Sequence, residues 1–191
     1  MSPSAPLQPS LEFVVIGDDV AAARAVAAEV GGMVYVDDRL DANGLPFRTL
    51  VRAVTDRPGL LDPAASVGRY VVCARPQKLR NGPDPSTAVI HINAMITSPD
   101  LTPLEADTHW RDRHVPLALQ HHVGMTQYVQ LSVVHRIAGP EYQGFALCEF
   151  DSMDDLRDRF FDSDEGRRAI LADVATFADT ASSPRRLLAH R

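Results

Sequence analysis

The chain has 191 residues, 45% of them hydrophobic and 23% charged, with a formal net charge of −6. That length gives one large domain or two small ones with room for a real core. Basic residues are interleaved with acidic ones, which excludes nucleic acid as a partner, because phosphate binding needs clustered Lys and Arg. No apolar run nears the roughly 18 residues that span a bilayer, so no membrane partner is expected.

The first ten residues, MSPSAPLQPS, have neither a basic n-region nor an apolar h-region. They read as a disordered tail rather than a secretory signal, and the protein as cytoplasmic. LEFVVIG (11–17) is a short β-rich run. Asp18 is then placed to cap a helix through DVAAARAVAAEV, which Gly31-Gly32 ends. MVYVDD, FRTLVRAVT and RYVVCARP read as strands, with DRPGLLDPAASVG holding at most one helical turn between the last two. Residues 11–76 thus run β-α-β-β-(short α)-β. Cys73 and Cys148, in the apolar runs YVVCA and FALCEF, read as buried, reduced thiols.

QKLRNGPDPS (77–86) is a polar, Gly/Pro-bearing linker and the best domain boundary. After it the order restarts over 87–191. TAVIHINAMI is a strand, and LTPLEADTHWRDRHVPLALQHH a helix opened by a capping box: Thr102 at the cap, Pro103 next, Glu105 third. MTQYVQLSVVHRI and QGFALCEF are strands joined by AGPEYQ. Ser152 caps a helix that is expected to break near DSDEG, and SPRRLLAHR closes as a strand. This β-α-β-β-α-β order is ferredoxin-like. Right-handed crossovers put both helices on one face of the sheet, so either the first half or a second subunit must cover the other. The fold class is α+β, with two ferredoxin-like units in tandem forming a barrel, and a homodimer of C-terminal units as the alternative.

Two segments carry polar groups in unusual places. In VIHINAM, His91 and Asn93 share a face beside an apolar stripe, and Tyr128, Gln130 and Ser132 share one on the next strand. These polar groups either meet water or a wet interface, or they line a cavity. The helix segment HWRDRHVPLALQHH holds four histidines, the sole tryptophan and a proline. Trp110, His114, Leu117 and His121 form one stripe at i, i+4, i+7 and i+11, with Asp107 and Arg111 spaced to pair beside it. Pro116 lacks an N–H and should kink the helix, freeing the carbonyl of Asp112.

His114, just before the kink and next to the indole, is either a satisfied core histidine or an acid/base group. Desolvation there should keep it neutral. His109 and His122 fall off the stripe and should be solvated. No metal site is expected, since His114 and His121 are two turns apart, roughly 10 Å, and neither HExxH nor CxxC is present. VVIGDDVAAA has one glycine where a dinucleotide fingerprint needs three.

HWRDRHVPLALQHHVGMTQYVQ resembles the signature of the EthD family: an aromatic residue, three residues, a histidine, an x-P-L step, then G-x-x-x-Y-V-Q. FFDSDEGRRAILADVATFAD resembles that family's second helix, and the resemblance covers about 86 to 191. It implies a place among the dimeric α+β barrel proteins, which include cofactor-free cyclases, isomerases and monooxygenases as well as haem enzymes. EthD proteins are associated with oxidative breakdown of small organic molecules alongside oxygenases. Trp110, His114, Pro116, Leu117, Tyr128 and Gln130 fall on its motif positions, with the aromatic and the histidine facing a pocket between helix and sheet. Residues 11 to 76 lack the motif while repeating the element order.

The leading expectation is a cofactor-independent enzyme of isomerase, cyclase or oxygenase type acting on a hydrophobic cyclic small molecule. His114 would be its general acid/base, with His91 and Tyr128 beside it orienting polar groups. Trp110 would form the apolar wall, with Asn93, Arg111, Leu117, His121 and Gln130 as further substrate contacts. The alternative is a non-catalytic accessory protein that holds a ligand for an oxygenase system. A haem-binding barrel with one axial histidine is the third reading.

Overall fold

The computed structural model describes residues 7–39 and 44–191. The expected tail therefore lies mostly outside the described residues, and its last member, Ser10, already begins a strand. The first unit contains β1 (Ser10–Gly17), α1 (Val20–Val30), β2 (Met33–Val36), β3 (Thr49–Ala53), a 3-10 helix (Pro58–Ala64) and β4 (Gly68–Lys78). Asp19, not Asp18, caps α1, accepting from the Ala22 N–H. Gly31 ends that helix at φ 65°, a left-handed conformation that costs a Cβ-free residue nothing.

The second unit contains β5 (Val89–Met95), α2 (Pro103–His109), a π-turn (Trp110–His114), α3 (Val115–His121), β6 (Met125–Ala138), β7 (Gly144–Phe150), α4 (Met153–Asp158), α5 (Asp164–Phe177) and β8 (Leu187–Ala189). The Thr102–Glu105 capping box is formed in both directions. The helix after Ser152 is indeed in two pieces, with Ser163 capping the second. The expected linker starts late, since residues 77 and 78 still belong to β4.

The strand order is β2-β3-β1-β4-β6-β7-β5-β8, with every pair antiparallel. Each half thus has the ferredoxin-like arrangement. The halves join where β4 pairs with β6. At the other edge Val36 and His190 exchange both backbone hydrogen bonds, at 2.8 and 2.9 Å. That bridge brings the two outermost strands together and closes an eight-stranded α+β barrel within one chain. The buried Asp37 carboxylate reinforces the seam by accepting from the Leu188 N–H.

Alternation then sorts the side chains. Val14, Ile16, Leu50 and Tyr70 from the first half meet Ile92, Leu131, Phe145 and Leu187 from the second and fill the barrel. The sheet face that would have called for a second subunit is covered within the chain. The outer face of the second half lies under α2, α3, α4 and α5, where Met95, Trp110 and Phe177 form one apolar cluster and Val115, Met125 and Phe150 another. Cys148 is buried there as a free thiol, whereas Cys73 is only half-buried.

Candidate active site under the C-terminal helices

The polar residues singled out in the sequence all lie on this helix-covered outer face. Neither solvent nor a dimer interface receives them: Tyr128, Gln130, Ser132 and His91 are each 5% exposed or less. They form three separate groups.

The first group is set up by the π-turn. Pro116 offers no N–H, and the helix answers by widening its hydrogen-bond register over Trp110–His114 rather than by a simple kink. In an α-helix residues five apart point about 140° away from each other. The i→i+5 register of a π-turn narrows that angle, so that both side chains can face one neighbouring helix. His109 and His114 therefore share one partner on α5. His109 Nε2–H donates to Asp173 Oδ1 at 2.7 Å, and His114 Nδ1–H to Asp173 Oδ2 at 2.8 Å. Phe177 lies against both rings, at 5.0 and 5.3 Å between centroids. Thr176 donates to the Asp173 carbonyl at 2.7 Å. Burial holds His114 below the ordinary histidine range against the opposing pull of Asp173. Its Nε2 makes no hydrogen bond among the described residues and is not sealed from solvent. A neutral imidazole with Nδ1–H anchored on a carboxylate and a free Nε2 lone pair can act as a base.

The second group surrounds the indole. Trp110 Nε1–H donates to the Tyr128 hydroxyl at 3.1 Å, as does Gln130 at 3.3 Å. Gln130 also donates to the Trp110 carbonyl, and Gln77 to Gln130, both at 3.1 Å. Arg75 lies over the indole, 5.9 Å from its centroid, and grips both oxygens of Asp107. Ser132 donates to Asp107 as well. Although burial pushes Asp107 up, these donors hold its carboxyl below the usual range. The expected Asp107–Arg111 pair is thus replaced: Arg75 from the other half takes the carboxylate, and exposed Arg111 pairs with neighbouring Asp112. Arg111 has no place on the packed face.

The third group holds His91. Arg186, a donor only, sits 3.2 Å from His91 Nε2, which must therefore carry the lone pair. The proton is then on Nδ1, and the Asn93 side-chain amide 3.3 Å away must turn its oxygen to that N–H to accept it. Burial, then the Arg186 charge, push His91 down to about 3. Both ring nitrogens are occupied, which removes His91 as a general acid/base. His122, expected in solvent, is 5% exposed and donates to the Phe160 carbonyl at 2.6 Å. Its burial outweighs that carbonyl and lowers it to about 4. His121 pairs with Asp162 at 3.0 Å beside half-buried Leu117.

Sequence reasoning missed Asp173, His109 and Arg75. Asp173 stands in ADVATFAD, the segment that carries the family resemblance, but nothing local marks its partners. His109 was misplaced by α-helical spacing. Among the described residues, no group of three or more His, Cys, Asp or Glu stands close enough to hold a metal ion. Two cavities, of about 230 and 160 Å³, lie away from all three groups: one beside the 3-10 helix, the other beside His190. No described helix is long and apolar enough to cross a membrane.

The fold is an α+β barrel with three polar groups under the helices of its second half. Residues 98–181, most of that half, match the EthD domain. No curated protein matches the chain in sequence. Among solved structures it is similar to a candidate monooxygenase from Lactobacillus acidophilus, at TM-score 0.54 and 6% identity, covering 96% of this chain and 93% of that one. A candidate monooxygenase from Fusobacterium nucleatum gives TM-score 0.55 and 7% identity, covering 97% and 93%. An anthrone oxidase-like protein gives 0.54 and 12%, covering 95% and 90%. At these identities the likeness is one of fold.

Proposed function

We propose that this protein is an oxygenase-related enzyme that performs acid/base chemistry on a hydrophobic cyclic small molecule. The observation that carries the reading is the His114–Asp173 pair. Asp173 fixes the tautomer and aim of the ring, and His114 Nε2 takes a proton from an acidic C–H or O–H of the substrate. The resulting imidazolium is stabilised by Asp173, and His109 on the same carboxylate holds that carboxylate in place. Trp110 and Phe177 belong to one buried apolar cluster, and Phe177 lies against the His114 ring at 5.3 Å. The names carried by the fold neighbours, monooxygenase and anthrone oxidase-like, bring oxidative ring chemistry to this reading, since deprotonated rings are electron-rich. It needs no cofactor beyond the imidazole pair for the proton step.

The test begins with mass spectrometry of small molecules that co-purify with the protein, followed by turnover of what is found. His114→Gln should fold and lose a factor of about 10²–10⁴ in rate. Asp173→Asn should lose rate as well, while His135→Gln, on an exposed stretch of β6, should behave as wild type. Equal rates in His114→Gln and wild type would leave the His109–Asp173–His114 bridge as a mere tie between two helices. Absence of turnover by the wild type itself would instead make the protein a ligand-holding accessory.

A further inference from the structure

The registers of the two halves correspond residue by residue. Phe13 on β1 pairs with Val71 on β4 as His91 on β5 pairs with Leu188 on β8, and Val14 with Tyr70 as Ile92 with Leu187. Phe13, Val15 and Arg69 therefore stand in the first half where His91, Asn93 and Arg186 stand in the second. In the second half α4 and α5 cover that face, and Arg186 reaches His91 Nε2. In the first half the same connection is only the 3-10 helix, Pro58–Ala64. Pro63 inside it has no N–H to extend the ladder, and 3-10 runs are short by nature. The cover is incomplete, and the cavity of about 230 Å³ opens beside it.

The walls of this cavity are apolar: Phe13 and Val15 from β1, Leu61 from the 3-10 helix and Ile137 from the far end of β6. The Tyr70 hydroxyl, also there, already donates to the Pro140 carbonyl. What remains polar is the Arg69–Asp62 ion pair, with side chains 38% and 52% exposed, so this edge meets solvent. The pair uses Arg69 Nη1 and Asp62 Oδ1 alone. The other guanidinium N–H groups and Asp62 Oδ2 have no protein partner among the described residues.

We propose that this cavity is a second ligand site, outside the EthD match, that takes a small neutral phenol. The ring lies between the apolar walls, and the hydroxyl bridges the ion pair, donating to Asp62 Oδ2 and accepting from Arg69. The pair is neutral in sum, so a carboxylate ligand is repelled by Asp62 and an amine by Arg69. A hydroxyl, donor and acceptor at once, suits both. Size agrees, since an engineered apolar cavity of about 150 Å³ holds benzene, and this one has room for a substituted ring. No histidine lines it, and burial drives the Tyr70 phenol well above its ordinary range. The site therefore holds its ligand without the proton chemistry of His114, and it goes beyond the function proposed above.

The test uses p-cresol and toluene, which share a shape and differ by the hydroxyl. The full chain is labelled with ¹³C at its isoleucine methyl groups, and the Ile137 signal is identified by its loss in Ile137→Val. Both probes should move that signal, with a dissociation constant for p-cresol about five- to tenfold below that for toluene. Apolar walls alone would give the opposite order, because the hydroxyl would lose its water without a replacement. Arg69→Met and Asp62→Val change half-exposed side chains, and each removes one of the two bonds. Each should cut the preference to about twofold or less, and the double variant should abolish it. Toluene binding as tightly as p-cresol, or more tightly, in wild type overturns the proposal. A preference that survives in the double variant does so too, as does an Ile137 signal that neither probe moves.

Discussion

Asp173 determines what His114 can do. Without it the imidazole could flip and tautomerise; with it, Nδ1–H is fixed and Nε2 is the only free nitrogen. Asp173→Asn keeps one acceptor oxygen for two donors, so a cost of about 1–3 kcal/mol in stability is expected from urea unfolding. His91 and His122 make a second residue-scale prediction. Burial lowers both, to about 3 and about 4, so both are neutral in the fold. The unfolded chain takes up these protons near pH 6.5, whereas the folded one refuses them until much lower. Their contribution is therefore complete above about pH 6.5 and is lost as pH falls, by about 1.4 kcal/mol per pH unit for each. Unfolding free energies measured from pH 7 to 4.5 should show this slope. His122→Gln should reduce it by the share of one histidine, and an unchanged slope would mean that His122 titrates normally.

At the scale of elements, the π-turn and the strand beneath it were made for each other. The widened turn turns His109 and His114 toward α5 and leaves Trp110 pointing down at the sheet. The indole finds room because β7 presents Gly144 there, followed on the same face by Ala146. A Cβ on Gly144 would come within 2.7 Å of the indole ring and of the Leu131 carbonyl. Neither neighbour is a flexible side-chain tip. Gly144→Ala should thus cost about 1–3 kcal/mol through overpacking. It should also weaken the Trp110–Tyr128 hydrogen bond, read as a shift of the one indole N–H signal. A variant with wild-type stability and an unmoved indole would show that the helix can lift off without loss.

For the whole molecule, barrel closure at β2 and β8 holds the two units in one cylinder. Asp37 concentrates that closure: it is fully buried and accepts from the Leu188 N–H and from Arg39. Burial alone would raise its carboxyl, but these donors win and hold it below the usual range. Its contribution is present above about pH 4 and is lost below that. Asp37→Ala should cost about 1–3 kcal/mol. Hydrogen exchange of Val36, Leu188 and His190 should speed up first, while β4 and β6 stay protected. Uniform loss of protection would mean that the seam and the β4–β6 joint open together.

The sequence by itself determined the elements, because caps, alternation and turn residues act over a few positions. The Thr102–Glu105 box, the Gly31 stop and the break before Ser163 are all local chemistry and all stand in the structure. The repeated ferredoxin-like order, the EthD motif around Trp110 and His114, and the shared face of Tyr128 and Gln130 were equally legible. What only the tertiary structure decided is who meets whom. Asp107 lay within helical reach of Arg111 but found Arg75, 32 residues away, because buried pairing outweighs an exposed i,i+4 contact. His109 left the solvent because one proline changed the helical period beneath it. His91 lost its catalytic candidacy to Arg186, 95 residues distant, which occupies its lone pair. Long-range partners of this kind leave no trace in local spacing, since they are set by how sheets and helices stack once the barrel has closed.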